Sequence, residues 1–368
     1  MRLAHFETSM NWGGQELRII EQMEWLLEHD HPCWLIARPG SAILKEAERR
    51  DLPRFELNVR GSVHPKTLSG LMAFLKKNQI EILDCHGSRD ATYGLFVKYL
   101  SKTKVIRSRH VTTPIKRGAL RDLVWRKGSH GIITTAQAIN NKIVEQGLSN
   151  AEKIYAALPG VDEERFSPKI DSSELRSKYG IPPDALVIAN IGMIRPDKGQ
   201  EYFVEACAKL MQQHSNVYAI QMGEATKETQ KYKQRVLDKL EQSGLSDRIK
   251  FLGYHHDIER FIAMADIVAV CSTQVEAQTR LVSQAFLMQK NVVASDIGGL
   301  PEMIQHEQTG LLVQPGESEA VHQALYRLIS NGSEAEELKN NAYGYALEHF
   351  TFDKMMQGML DHYQAFSH

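Results

Sequence analysis

Two stretches in the second half of the chain carry side chains suited to phosphate and sugar groups. The apolar run VIANIG (187–192) leads into MIRPDKG (193–199) and then a helical pattern from Gln200. Arg195 offers a planar fork of N–H donors and Lys198 a compact ammonium. Pro196 stiffens the turn, and Gly199 frees the backbone where a helix start adds amide donors. Farther on, IVAVCS (268–273) leads into TQVEAQTRLVSQAF (273–286) and VVASDIGGLPE (292–302). Glu276 can accept hydrogen bonds from hydroxyls. Gln284 stands near two helical turns beyond it if the intervening backbone is helical, and can donate and accept at a ribose edge. Together these residues could hold a pyrophosphate and a polyhydroxylated group. Singly, each has a plainer reading: a solvent-facing basic turn, a solvated carboxylate before a helix, a surface glutamine.

The first half offers less. Gly13 and Gly14 precede the helical pattern QELRIIEQMEWLLEH (15–29). They either let a backbone approach a ligand at the helix start or make a tight turn. No complete GxGxxG follows the opening apolar run, so the usual dinucleotide fingerprint is missing.

These residues need elements to position them. Short apolar runs at 2–7, 33–38, 81–87, 104–110, 131–135 and 153–160 read as strands, and helical patterns separate several of them. In 15–29, Ile19, Ile20, Met23, Leu26 and Leu27 share one broad face. The second half repeats the scheme, with strands expected at 186–192, 217–223, 249–254, 268–273, 291–296 and 310–315. Helices are expected at 200–213, 228–243, 256–265, 280–289 and 317–330. Such alternation implies parallel sheets covered on both faces. Pro182 and Pro183 interrupt regular structure between the halves, so the boundary is expected near 162–183. The expected fold is α/β, two Rossmann-like doubly wound domains facing a central cleft. The domains are 1–165 and 166–333, with a helical segment 334–368 that could return to the first.

At 368 residues the chain is long for one domain, and its net charge of -1 gives no electrostatic reason to expect nucleic acid. Four dispersed cysteines, Cys33, Cys85, Cys207 and Cys271, read as buried thiols of a reducing compartment. The first residues lack an export-signal pattern, and no apolar run is long enough to span a membrane. A cytoplasmic protein is expected, with contact at the inner membrane's cytoplasmic face left open.

The ordered set WGGQE (12–16), GMIRPDKG (192–199) and the block from CSTQVEA to ASDIGGLPE (271–302) resembles the large retaining glycosyltransferase family 4, of GT-B fold. That family holds many bacterial lipopolysaccharide and cell-surface glycan enzymes. The resemblance covers nearly the whole chain and implies a nucleotide diphosphate sugar as donor and a glycan or lipid-linked glycan as acceptor. Arg195 and Lys198 resemble the family's pyrophosphate clamp. Glu276 resembles the first carboxylate of its paired-glutamate motif, and Gln284 stands where the second glutamate is usual. The glutamine keeps hydrogen bonding but supplies no charge. The family's Gly-Phe-Gly after the first glutamate is AQT here (277–279). His110, closing KVIRSRH, resembles an active-site histidine. His86 is another strand-end polar group. Arg107 and Arg109 either favour an anionic acceptor or face solvent.

The implied reaction is transfer with retention, the leaving phosphate helping to accept the acceptor's proton. No metal and no separate cofactor is expected. His255, His256 and Asp257 form a tempting cluster, but adjacent residues do not easily present one tetrahedral face. The segment 113–130 sets Lys116, Arg117, Arg121, Arg126 and Lys127 beside Leu120, Leu123, Val124 and Trp125. It either touches an anionic membrane transiently or packs its apolar side onto the first domain. A nucleotide-sugar epimerase and a non-catalytic nucleotide-sugar-binding protein are the alternatives.

Overall fold

Strands of three to six residues, mostly apolar and mostly separated by helices, build two separate parallel sheets in this computed structural model. All residues are described except 60, 62, 112, 113, 275, 277, 278, 367 and 368. The chain divides into two compact units, residues 1–157 with 356–368, and residues 158–355.

Unit 1 runs β1 (Leu3–Glu7), α1 (Gly14–Glu28), β2 (Cys33–Ala37), α2 (Ala42–Arg49), β3 (Arg54–Glu56), α3 (Pro65–Lys77) and β4 (Ile82–Cys85). It continues α4 (Ser88–Leu100), β5 (Lys104–Arg109), α5 (Ala119–Lys127), β6 (Gly131–Thr134), α6 (Gln137–Glu145) and β7 (Ile154–Ala156). The sheet order is β3-β2-β1-β4-β5-β6-β7. β1 and β4 are adjacent in space but far apart in sequence, and His5 pairs in register with Asp84. This is where the winding reverses, the place at which doubly wound sheets open a crevice beyond their carboxyl ends. Ala4, Phe6, Leu83 and Tyr93 belong to the buried core on one face. On α1, Ile19, Ile20, Met23 and Leu26 are buried as the periodicity predicts, while Leu27 is only half-buried.

Unit 2 runs α7 (Ser173–Lys178), β8 (Leu186–Ile191), α8 (Gln200–Gln213), β9 (Val217–Met222), α9 (Gln230–Ser243), β10 (Ile249–Gly253) and α10 (Ile258–Met264). β11 (Ile267–Val270), α11 (Arg280–Leu287), β12 (Asn291–Ser295), β13 (Leu311–Val313), α12 (Ser318–Ser330) and α13 (Gly332–His349) follow. The order is β10-β9-β8-β11-β12-β13, with the reversal between β8 and β11. The β8–β11 ladder extends over only two register pairs, Ile267 with Ile188 and Val268 with Ala189. Beyond it, the Asn190 side-chain amide donates to the Ala269 carbonyl at 2.8 Å.

The structure departs from sequence expectation in several places. β3 carries no apolar run, its three residues being half-buried or exposed, and forms as an edge strand beside β2. β11 ends at Val270 rather than at 273, while α11 begins at Arg280 as expected, which leaves Glu276 in the loop before it. The division between units falls at Ala157, ahead of the proline-bearing segment. The stretch 334–365 is two helices, broken at Phe350 and Thr351. Residues up to 355 group with unit 2, and α14 (Phe352–Gln364) carries the chain into the part grouped with unit 1. All four cysteines are buried and free. No helix is long and apolar enough to cross a membrane.

Candidate functional site

In unit 2, two loops meet at the carboxyl ends of β8 and β11. Thr273 N–H donates to the Asp197 carbonyl at 2.9 Å, and Thr273 Oγ1 to the Pro196 carbonyl at 3.1 Å. Gly199 (φ 66°) starts α8 in the left-handed region. A Cβ there would collide with the Cys271 carbonyl oxygen, so the two loops can approach only through glycine. Gly298 (φ 63°) plays the same part against the Glu276 carbonyl, which also accepts from Gly299 N–H at 3.1 Å. The SDIGGLPE block therefore supports the backbone of Glu276. Gln200 is fully buried and braces the loop, donating to the Met193 carbonyl at 3.1 Å and accepting from Arg195 N–H at 3.3 Å.

Lys198 and Glu276 are brought into direct contact, Nζ to Oε2 at 2.5 Å, with Ser272 Oγ donating to the same oxygen at 2.5 Å. The glutamate side chain is 9% exposed and the lysine 27%. Both line a 170 Å³ cavity with Asn190, Gly192, Gln200 and Ser272. Arg195 is near but differently occupied: its guanidinium grips Asp197 through two hydrogen bonds, which raises its already high pKa. Neither Arg195 nor Gln284 is in the cavity lining. Gln284 sits on α11 and is buried, not a surface residue. Two residues of AQT, 277 and 278, lie outside the described residues.

Unit 1 gathers a second polar cluster at its own reversal point. His110 follows β5, and its Nε2 lies 2.9 Å from His86 Nδ1. His86 Nε2 in turn lies 2.9 Å from His5 Nδ1. Burial pushes His5 and His86 down to about 3, and His110 well below its usual value, so all three rings are neutral near pH 7. Asp84, fully buried, accepts from Ser108 Oγ at 2.9 Å and Tyr363 OH at 2.7 Å. His110 Nδ1 is buried with no hydrogen-bond partner. Gly13 and Gly14 stand at the start of α1 as expected. Gly13 is extended, and nothing lies within 4 Å of a Cβ placed on Gly14.

His86 and His110 line a 310 Å³ cavity with Glu7, Gln15, Gly87, Arg107 and Arg109. Arg107 does not face solvent: it is 7% exposed, with its guanidinium carbon 3.3 Å from the Trp125 ring centroid. The sequence reading missed Glu7 and Asp90. Burial is the main cause that raises both carboxyls, and Asp90 accepts from Thr8 Oγ1 and from Gly87 N–H. An acidic strand end beside a glycine-started helix was the available signal.

The HHD cluster at 255–257 is dispersed. His255 Nε2 meets the Leu252 carbonyl at 2.9 Å, His256 Nδ1 the Tyr254 hydroxyl at 3.3 Å, and Asp257 stands just before α10 without a side-chain capping bond. Among the described residues, His5, Asp84 and His86 offer three atoms close enough for one ion. Their 2.9 Å ring contact equally fits a hydrogen bond between a protonated and a bare nitrogen. On α5, Val124 and Trp125 are buried, while Leu120 is 62% and Leu123 47% exposed.

The profile of Glycosyl transferases group 1 matches residues 171–345, and that of Glycosyltransferase Family 4 matches 12–165. An uncharacterized glycosyltransferase of Methanocaldococcus jannaschii is 22% identical over 85% of this chain and 87% of its own length. A lipopolysaccharide core biosynthesis mannosyltransferase of Rhizobium meliloti is 24% identical over 56% of this chain and 60% of that relative. Against several curated relatives the match thus spans only about half to three fifths of their length. HepE of Anabaena, solved in complex with UDP, superposes with a TM-score of 0.88 at 21% identity over the full length of both chains. The fold is GT-B, two Rossmann-like domains, and the protein is an enzyme of glycosyltransferase type. It is related to the group 1 and family 4 glycosyltransferases and to enzymes of lipopolysaccharide and surface glycans.

Proposed function

We propose that this enzyme moves a sugar from a nucleoside diphosphate sugar to a hydroxyl of a glycan or lipid-linked glycan, with retention at the anomeric carbon, as a family 4 member. The observation that carries the reading is the Lys198–Glu276 pair on the wall of the unit 2 cavity. A cation and a carboxylate that satisfy each other on this wall are each suited to part of the donor. The diphosphate takes Lys198, draws Arg195 from Asp197, and meets the amides at the start of α8. Glu276, released, accepts from sugar hydroxyls. Gln284, in this scheme, hydrogen-bonds the ribose of the nucleoside.

The bond between the anomeric carbon and the phosphate oxygen breaks, and the acceptor oxygen bonds to the same face. The acceptor's proton passes to the departing diphosphate, whose charge Lys198 and Arg195 stabilise. His110, held neutral by burial, hydrogen-bonds the donor sugar, and the Gly13–Gly14 backbone lets phosphate approach α1. No metal takes part in this scheme. The structure of HepE with UDP-glucose supports a nucleoside diphosphate sugar as donor, and the lipopolysaccharide assignments of relatives support a surface polysaccharide or lipopolysaccharide role. Exposed Leu120 and Leu123 beside Arg121 support transient contact with an anionic inner-membrane surface from the cytoplasmic side.

A panel of nucleoside diphosphate sugars against glycan acceptors, read by mass and by the anomeric coupling of the product, tests this. Acceptor-dependent transfer with retained configuration is expected. Isomerised donor without acceptor would identify an epimerase, and tight donor binding without any product a binding protein.

A further inference from the structure

The unit 1 cavity holds a cationic wall that donor chemistry in unit 2 does not use. Arg107 is 7% exposed, and its Nη1 is buried without a hydrogen-bond partner. Its guanidinium lies over Trp125, which satisfies the cation's face but none of its in-plane donors. No ion pair to Arg107 occurs among the described residues. The nearest candidates are otherwise engaged. Glu7 accepts from Ser9 N–H and Gln15, and burial followed by the charge of Asp90 raises its pKa and favours the neutral acid. Asp90 caps Gly87 N–H and accepts from Thr8. His86 and His110 are neutral. Burial, and then the like charge of Arg109, push Arg107 down to about 9, which the charge of Asp90 only partly opposes.

A second set of donors converges on the same space. Gly87, Ser88 and Arg89 line the cavity at the start of α4, a helix of 13 residues. The first intrahelical donor is Ala91 N–H, to the Gly87 carbonyl, so the amides of Ser88 and Arg89 precede the helix's own bonding. The positive end of the helix dipole and a buried unpaired guanidinium thus face one 310 Å³ cavity, with Arg109 also in its lining. That volume suits one substituent or ring of a small ligand.

We propose that this cavity is an oxyanion subsite that takes a phosphate group carried by the acceptor, Arg107 forking two oxygens and the α4 amides binding a third. The proposal rests on the transferase reading, because it names what the acceptor carries. It makes the enzyme selective for phosphorylated over neutral acceptors. The subsite itself is testable without turnover.

The full chain is first saturated with UDP, so that any diphosphate site is filled, and then titrated with inorganic phosphate by calorimetry. Wild type is expected to bind one phosphate. Arg107→Met, which keeps an apolar stem against Trp125, is expected to weaken it by about tenfold or more while UDP affinity changes by less than about twofold. Arg89→Ala, at an exposed position, gives a second variant with no burden on folding and is expected to weaken phosphate by about threefold. In a second arm, matched phosphorylated and dephosphorylated glycan acceptors are compared. Wild type should favour the phosphorylated one in kcat/KM, and both variants should narrow that preference. Phosphate binding equal in wild type and both variants, or no phosphate binding at all, overturns the subsite. Loss of phosphate binding in the variants with no transfer to any acceptor leaves the subsite standing and overturns the transferase reading instead.

Discussion

Lys198 Nζ and Glu276 Oε2 lie 2.5 Å apart although 78 residues separate them, because the loops after β8 and β11 are laced together through Gly199 and Gly298. The pair is a consequence of sheet topology: the winding reverses between those strands, and each contributes one wall. The pair keeps a largely buried carboxylate from standing alone. Lys198→Met should therefore cost about 1–3 kcal/mol of stability, below the figure for a fully buried pair because the lysine is partly exposed. Adding Glu276→Gln should recover part of that loss. Urea denaturation of both single variants and the double variant measures it, and strictly additive losses would mean the contact carries no coupling.

Asp197 competes with any diphosphate for Arg195, since it holds the guanidinium through two hydrogen bonds. Asp197→Asn should tighten UDP binding by about three- to tenfold by removing both the competitor and a negative charge near the phosphates. Calorimetric titration is the check; weaker binding would place Asp197 in a supporting role that orients Arg195.

Gly199→Ala and Gly298→Ala each put a Cβ into a backbone carbonyl, so relief requires the loops to separate. Each should cost about 2–4 kcal/mol and release the Lys198–Glu276 contact. Gly14→Ala, where a Cβ meets nothing within 4 Å, is the matched control and should change stability by about 0.5 kcal/mol or less. Thermal melts of the three proteins separate these cases.

Much of the architecture was legible because apolar runs and helical faces alternate with the periods that parallel sheets demand. β3 was not, since a short edge strand buries little and leaves no apolar signature. Arg195, Lys198 and Glu276 could be singled out by residue type, yet their pairings could not. Arg195 takes Asp197 two residues away and Lys198 takes the glutamate, a choice made by loop geometry. The helix expected from 280 is there, but the condition that would put Glu276 two turns before Gln284 on it is not met, because Glu276 lies in the loop ahead of Arg280. The histidine chain depends on the β1–β4 register that sets His5 beside Asp84, and a linear sequence does not print a register. Whether Arg107 faces solvent or a ligand could not be read from the chain, which gives no sign that Trp125 covers it.

The three histidines give a pH dependence with a definite sign. His5 is held at about 3, first by burial, then by His86. Its folded pKa lies below the unfolded value, so its contribution is complete above about 6.5 and is lost as pH falls toward 3. The stability difference between wild type and His5→Asn should accordingly shrink by about 1.4 kcal/mol per pH unit between about pH 6 and 4. Denaturant titrations at matched pH read it. A constant difference would mean that His5 is already protonated against Asp84, 3.9 Å away.

In the proposed reaction the Lys198–Glu276 pair opens to receive the donor's diphosphate. Calorimetric titration of UDP and an intact UDP-sugar into wild type, Lys198→Met and Glu276→Gln addresses it most directly, with ADP and GDP donors run in parallel. The account predicts that Lys198→Met weakens the diphosphate and the intact donor alike, by about 10- to 100-fold. Glu276→Gln should leave the bare diphosphate equal or tighter, because Lys198 no longer has to be released, while weakening the additional affinity contributed by the sugar. Unchanged affinity for every nucleotide in both folded variants would contradict it.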